Sequence, residues 1–331
     1  MDASGLCLSK TSSATSALGR SRGVARHRVA QRVDRGVLLL ATVVLAWGLT
    51  WPVNKVILAS LSPIWTVAIR SGIGAIVLFA LSIALGRLTV PPRADVPVLL
   101  SLALLHMVGF GVLGSVGLEL VPTGRSVLLA YTTPLWVMPG ARLFLGERLT
   151  ARRAIGVVIG LLGLAVLFNP LSFDWTSRDA LIGNGAMLAA AFFWAASILH
   201  LRAHRWRSTP FDLLPWQSLL ATVTVTAIAL AVDGVPTVEW HPTLLAMLLY
   251  AGVPGTALAY WAMAMAGKSL PAVTTALGLL VTPVVSVVVA TLWLHEPLTP
   301  TLVIAIALIL GGVAIGTASP GLQARQPVTQ P

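Results

Sequence analysis

The sequence predicts an all-α membrane protein, with ten transmembrane helices arranged as two inverted five-helix repeats. Three observations carry that prediction: a composition too apolar for water, ten apolar runs of spanning length, and a gapless internal repeat. Of the 331 residues, 56% are hydrophobic and only 10% are charged, and the mean hydropathy is +0.88. Soluble globular chains carry about 25% charged residues, so this chain has too few charges to cover a water-facing surface of its size.

The apolar runs lie near residues 37–58, 63–86, 96–118, 123–145, 154–170, 181–200, 211–231, 243–265, 271–294 and 301–318. A helix needs roughly 20 apolar residues to cross the hydrocarbon core, and backbone groups in lipid must bond internally, so each run reads as a helix. Orientation follows from the basic residues between the runs. With the N-terminus inside, Arg178 is the one basic residue in a loop on the opposite side. Lys55 and Arg125 sit at helix ends, and Arg70 and Arg142 within spans. The remaining lysines and arginines fall in segments on the inner side, which places both termini in the cytoplasm and the chain in the inner membrane. The net charge of +11 therefore reflects topology, and no nucleic-acid partner is expected.

Residues 1–36 are polar, rich in Ser and Arg and poor in acids. They read as a disordered basic cytoplasmic tail, although the same composition suits a transit peptide. Residues 319–331 read as a second tail. Cys7 is the only cysteine, so neither an internal disulfide nor a cysteine metal cluster is expected.

Residues 117–150 align without a gap on 266–299. Pro122 falls on Pro271, Thr133-Pro134 on Thr282-Pro283, Glu147 on Glu296, and Leu149-Thr150 on Leu298-Thr299. Trp47 pairs with Trp194, Pro63 with Pro210, and Gly163 with Gly312. The repeats span about 37–171 and 180–318. Five spans per copy is an odd number, so the second copy inserts upside down relative to the first, the architecture of inverted-repeat transporters. Two near-equivalent packings of such halves give alternating access. A receptor gives no reason for two inverted halves. A membrane enzyme would need a nucleophile with its base or a metal cluster; neither H-E-x-x-H nor G-x-S-x-G occurs, so no catalytic residue, metal or cofactor is expected.

The residues that carry the repeat also carry a family resemblance. An early Trp in the first helix of each half (Trp47, Trp194), a mid-helix Thr-Pro in the fourth (Pro134, Pro283), and the endings LGERLT (145–150) and LHEPLT (294–299) resemble the EamA-like transporters of the drug/metabolite transporter superfamily. The likeness covers about 37–318. It departs at His295, which stands where the first copy has Gly146. The resemblance implies an exporter of amino acids, nucleobases, other metabolites or drugs, often driven by proton antiport.

Several polar or aromatic residues within spans are candidate substrate contacts. Trp47, Trp51, Asn54 and Lys55 share one face of the first helix; two indoles beside an amide suit a cavity wall, or Trp51 and Lys55 anchor the helix at the interface. Arg70, inside the second span, either binds a substrate carboxylate through two parallel hydrogen bonds or is tied to backbone carbonyls or a nearby acid. His106, midway along the third, either carries a coupling proton or hydrogen-bonds substrate, or else packs as a neutral, hydrogen-bonded ring. Trp194 follows as the repeat partner of Trp47. Tyr260, with Tyr131, Thr132, Tyr250 and Trp261, is a weaker lining candidate. No carboxylate lies at mid-membrane depth: Glu119, Glu147 and Glu296 fall near span ends.

Pro134 and Pro283 each remove a helix hydrogen bond, which predicts kinks that gate the cavity, with Thr133 and Thr282 satisfying the freed carbonyls. Glu147 and Glu296 are expected to be structural caps, Glu147 with Arg148, Arg152 and Arg153 at its turn. Gly156-x-x-x-Gly160 and Gly312-x-x-x-Gly316 predict close helix contact, either within one chain or across a homodimer. The expected partners are a small organic metabolite such as an amino acid, a coupling proton and the lipid bilayer.

Overall fold

The computed structural model describes residues 34–146, 150–168, 176–270, 275 and 278–317, and these are helical with no strand among them. The helices are α1 (Asp34–Ile57), α2 (Pro63–Ala84) and α3, which joins Val96–Ser101, a π-helical stretch Leu102–Phe110 and Gly111–Leu120. There follow α4 (Thr123–Ala130), α5 (Thr133–Phe144), α6 (Ala151–Phe168), α7 (Arg178–Ala203) and α8 (Pro210–Val232). Helix α9 joins Pro242–Gly252, a second π-helical stretch Val253–Leu258 and Ala259–Ser269. Last come α10 (Val281–Trp293) and α11 (Pro300–Thr317). Six of these, α1, α2, α3, α7, α8 and α9, are long and apolar enough to cross a membrane; α10 and α11 are shorter apolar helices. The chain is a multi-pass membrane protein.

Local chemistry explains the boundaries. Ser62 caps α2 by accepting from the Trp65 N–H, with Pro63 in the first turn, where its missing N–H costs nothing. Thr209 and Asp212 form a reciprocal capping box at the start of α8. One expectation needs correction. The fourth apolar run is not one kinked helix: the chain breaks at Tyr131–Thr132, and α5 starts afresh with Pro134 in its first turn. The Thr132 and Thr133 hydroxyls donate to the carbonyls of Leu129 and Ala130, both at 2.7 Å, satisfying groups that the break frees. Pro283 likewise sits in the first turn of α10, and Thr282 makes no equivalent bond.

The helices pack in pairs drawn from the two halves of the chain. Helix α2 lies along α8, α6 along α11, α3 along α7, and α4 against α10. Helix α1 packs on α9, where Val53 and Ile57 meet Leu244, Leu248 and Ala251. The α6–α11 crossing is the tightest. A Cβ built on Gly156 would lie 2.5 Å from the Gly312 carbonyl oxygen, and one built on Gly312 would lie 2.5 Å from that of Gly156. The two glycine motifs therefore meet each other within one chain, and give no reason to pair chains.

Candidate functional site

A cavity opens among the two halves, with walls from α1, α2, α3, α7, α9 and the α4–α5 break. Trp47, Trp51, Asn54, Arg70, His106, Trp194 and Tyr260, the seven residues singled out as substrate contacts, all line it. The lining reaches Asn54 and Leu118, within four residues of the ends of α1 and α3.

Its deeper part is an aromatic box. The Trp47 ring meets Tyr260 edge-on at 5.8 Å, and Tyr260 meets His106 edge-on at 5.7 Å. His106 lies flat against Trp194, with centroids 5.4 Å apart and planes 6° from parallel. Trp194 then contacts Phe110 at 5.0 Å and Tyr131 edge-on at 6.0 Å. Each such pair contributes about 0.5–1.5 kcal/mol beyond its buried area, so the box is held open as a rigid wall. The Tyr260 hydroxyl and His106 Nε2 are 3.5 Å apart, the outer limit of a hydrogen bond.

Two polar atoms in this wall have no hydrogen-bond partner among the described residues. Arg70 Nε and Asn54 Oδ1 are buried and make no hydrogen bond, and no carboxylate pairs with Arg70 among the described residues. Among the described residues, the structural alternative for Arg70, a tie to a carbonyl or an acid, is therefore not made. Leaving a buried polar group unsatisfied costs about 1–3 kcal/mol, so these two atoms mark where a ligand or water belongs. Gly111 makes room for the guanidinium, since a Cβ there would come within 3.3 Å of Arg70 Nη2.

The sequence did not point to Phe110, Gly111, Gly114, Ser115, Gly255 or Thr256, which also line the cavity. Gly255 and Thr256 were hidden because the π-helical stretch at Val253–Leu258 shifts which face points inward. Lys55 is not part of the lining. Its ammonium donates to the carbonyls of Leu118 (2.6 Å), Glu119 (3.1 Å) and Val121 (3.1 Å), a cationic cap on the negative end of α3.

Glu296 completes this rim from the other side. Its Oε1 accepts from the Thr123 N–H at 2.7 Å and its Oε2 from the Gly124 N–H at 3.0 Å, capping the positive end of α4. The cap crosses between halves of the chain and is not made to its own turn. It is aimed by His295, whose φ of 56° matches the 65° of Gly146 at the aligned position; the left-handed turn is kept although a side chain there costs about 1–2 kcal/mol. Glu147 lies outside the described residues. Replacing Glu296 by alanine should lower stability by about 1–2 kcal/mol, since two orphan N–H groups lose a charged acceptor. Glutamine should recover part of the loss. A thermal melt of the purified protein in detergent checks this, and an unchanged melting temperature for both variants would refute the cap.

The opposite end of the bundle is latched. Asp95, fully buried, accepts from the Arg207 N–H (3.1 Å), the Ser208 N–H (2.7 Å) and the Ser208 hydroxyl, and lies 2.8 Å from His204 Nε2. Beside it, Arg87 pairs with Asp212 at 2.8 Å and the Trp216 indole donates to the Thr89 carbonyl. The start of α3 and the α7–α8 connection are thus tied together, while the cavity lining runs toward the other end.

Comparisons with known proteins agree with this architecture. Residues 34–169 and 181–317 each match the profile of the EamA-like transporter family. The chain is 24% identical to uncharacterized transporter YoaV of Bacillus subtilis (strain 168), over 85% of this chain and 96% of that protein. It is 28% identical to a probable amino-acid metabolite efflux pump of Escherichia coli (strain K12), over 85% and 93%. A riboflavin transporter of Rhizobium johnstonii is 32% identical over 45% of this chain and 47% of its own length. A solved crystal structure superposes with a TM-score of 0.63 at 23% identity, covering 86% of this chain and 98% of that one, a likeness of fold. The chain, with two matches to one profile and relatives named as transporters, belongs to the EamA-like transporter family.

Proposed function

We propose that the chain is a secondary transporter that exports small carboxylate-bearing metabolites, amino acids among them, by alternating access of two inverted five-helix repeats. The observation that carries the substrate class is Arg70, whose buried Nε has no hydrogen-bond partner among the described residues, set against an aromatic box. A carboxylate supplies the two parallel acceptors that a guanidinium takes up, and the rings receive an apolar part.

Support for the repeat comes from the pairing of helices. Numbering the ten apolar runs, the second packs on the seventh, the fifth on the tenth, the fourth on the ninth, and the third on the sixth as the first does on the eighth. That is the pattern of a pseudo-two-fold axis relating residues 37–171 to 180–318. Under the orientation set by the basic residues, the termini and the Asp95 latch are cytoplasmic, and the cavity reaches toward the outside. The α4–α5 break at Tyr131 and the Pro283 turn are the elements that move between states. His106, beside Tyr260, is the group placed to carry a coupling proton. The E. coli relative named an amino-acid metabolite efflux pump and a relative named a probable terminal-alkyne amino-acid exporter favour the same substrate class.

Purified protein reconstituted in liposomes should show saturable counterflow of labelled amino acids, with a larger rate when a pH gradient is imposed. Saturable flux of a labelled nucleobase or sugar, with none for any carboxylate, would overturn the substrate class.

A further inference from the structure

We propose that Gly114 sets the size limit of the transported molecule, its missing side chain leaving the space through which the substrate extends beyond the aromatic box. The inference rests on the transport reading of this cavity and adds to it a specificity-determining position.

Most helical glycines in this chain explain themselves. Gly111 is pressed between Val67 and Arg70, with a Cβ there at 3.1 Å from Val67 Cγ1. Gly117 faces Met187, whose Cγ would lie 2.6 Å from a Cβ at that position. Gly114, between them on α3, is different. It is buried, it lines the cavity, and a Cβ built on it would meet no heavy atom within 4 Å. The other described glycines with open space beside them, Gly86, Gly146, Gly185, Gly234 and Gly311, are exposed or half-exposed. Backbone geometry gives no reason for glycine either, because Gly114 is absent from the positive-φ residues.

A glycine inside a helix costs about 1 kcal/mol relative to alanine. At Gly114 neither packing nor conformation accounts for that cost, and the space it leaves lies inside the cavity. The position is one to two turns past His106 and Phe110, on the wall shared with Asn54 and Ser115. A molecule whose carboxylate meets Arg70 would therefore pass its bulk along Gly114. A Cβ added there would narrow the space without touching the protein, and larger side chains would narrow it further.

The test uses the full chain with Cys7, its only cysteine, replaced by serine. Gly114→Ala, Gly114→Val and Gly114→Leu are compared for counterflow of free alanine, leucine, phenylalanine and tryptophan. The ratio of tryptophan to alanine flux should fall stepwise with the size of the new side chain, by roughly tenfold or more at Gly114→Val. A ratio that stays constant across the series, whether all fluxes fall together or none falls, overturns the proposal. If the parent moves none of the four, the amino-acid reading fails, and Gly114 is decided by a second measurement. Gly114→Cys should react with a small methanethiosulfonate reagent and resist a bulky maleimide, whereas inertness to both would mean the space is not there. The melting temperature of Gly114→Ala should equal or exceed the parent's; a lower one would contradict the open space.

Discussion

Arg70→Gln should reduce the flux of carboxylate substrates by about a hundredfold while leaving the protein as stable as the parent. Hydrogen bonds to charged groups contribute about 1.5–3 kcal/mol each, and a substrate carboxylate left in the cavity without its cation loses roughly 3–5 kcal/mol. At 1.4 kcal/mol per tenfold, two orders of magnitude is the low end of that range. Stability should not fall, because Arg70 Nε has no protein partner to lose and glutamine places a neutral group in a half-buried site. The same substitution should change the flux of an amide or ester analogue much less, since that analogue brings no charge to neutralise. Arg70→Lys should fall between, as an ammonium gives charge but not two parallel bonds. The comparison is made by concentration-dependent uptake into proteoliposomes. Equal losses for the carboxylate and its amide would mean that Arg70 shapes the cavity and does not read charge.

The second large effect is structural. Gly312→Leu should destroy the folded protein, and Gly311→Leu, one residue away, should be tolerated. A Cβ at Gly312 would meet three backbone atoms of α6, at 2.5 Å from the Gly156 oxygen, 2.6 Å from the Gly160 nitrogen and 3.0 Å from the Gly160 Cα. Backbone cannot swing aside as a flexible side chain does, so α6 and α11 must separate along their shared length. Overpacking of a well-packed interior costs about 1–3 kcal/mol even where side chains can adjust, and in lipid no hydrophobic force between helices compensates for lost contact. At Gly311 a Cβ meets nothing within 4 Å. The two variants remove the same helix-weakening residue, so any difference between them reports the crossing alone. Size-exclusion profiles and thermal melts in detergent distinguish them. A monodisperse, stable Gly312→Leu protein would disprove the crossing.

The seven residues named from sequence as substrate contacts do line one cavity, and the reason is that polarity and large rings inside a span are costly in lipid. Such residues face the interior of the bundle wherever a single span is read. Their roles were less legible. Arg70 could have been tied to an acid until the fold placed none beside it among the described residues, and Lys55, on the same face as Trp51, turned out to hold the end of α3. Gly114 was not singled out, because a glycine that packs against a neighbour and one that borders empty space look identical in a sequence.

Composition and the length of the apolar runs depend on single segments and on the free energy of moving them into lipid. They determined that this is a multi-pass helical membrane protein. What each segment meets is a property of pairs far apart in the chain. Only tertiary structure could turn the Thr-Pro signal at residue 133 into a full break, because a kink and a break begin from the same lost hydrogen bond. Only it could send Glu296 to the N-terminus of α4, set Gly156 against Gly312, and close a box of rings from α1, α3, α7 and α9 beside a guanidinium with no carboxylate partner among the described residues. Those contacts join segments from about 85 to more than 200 positions apart, and local chemistry, which acts over a few residues, carries no record of them.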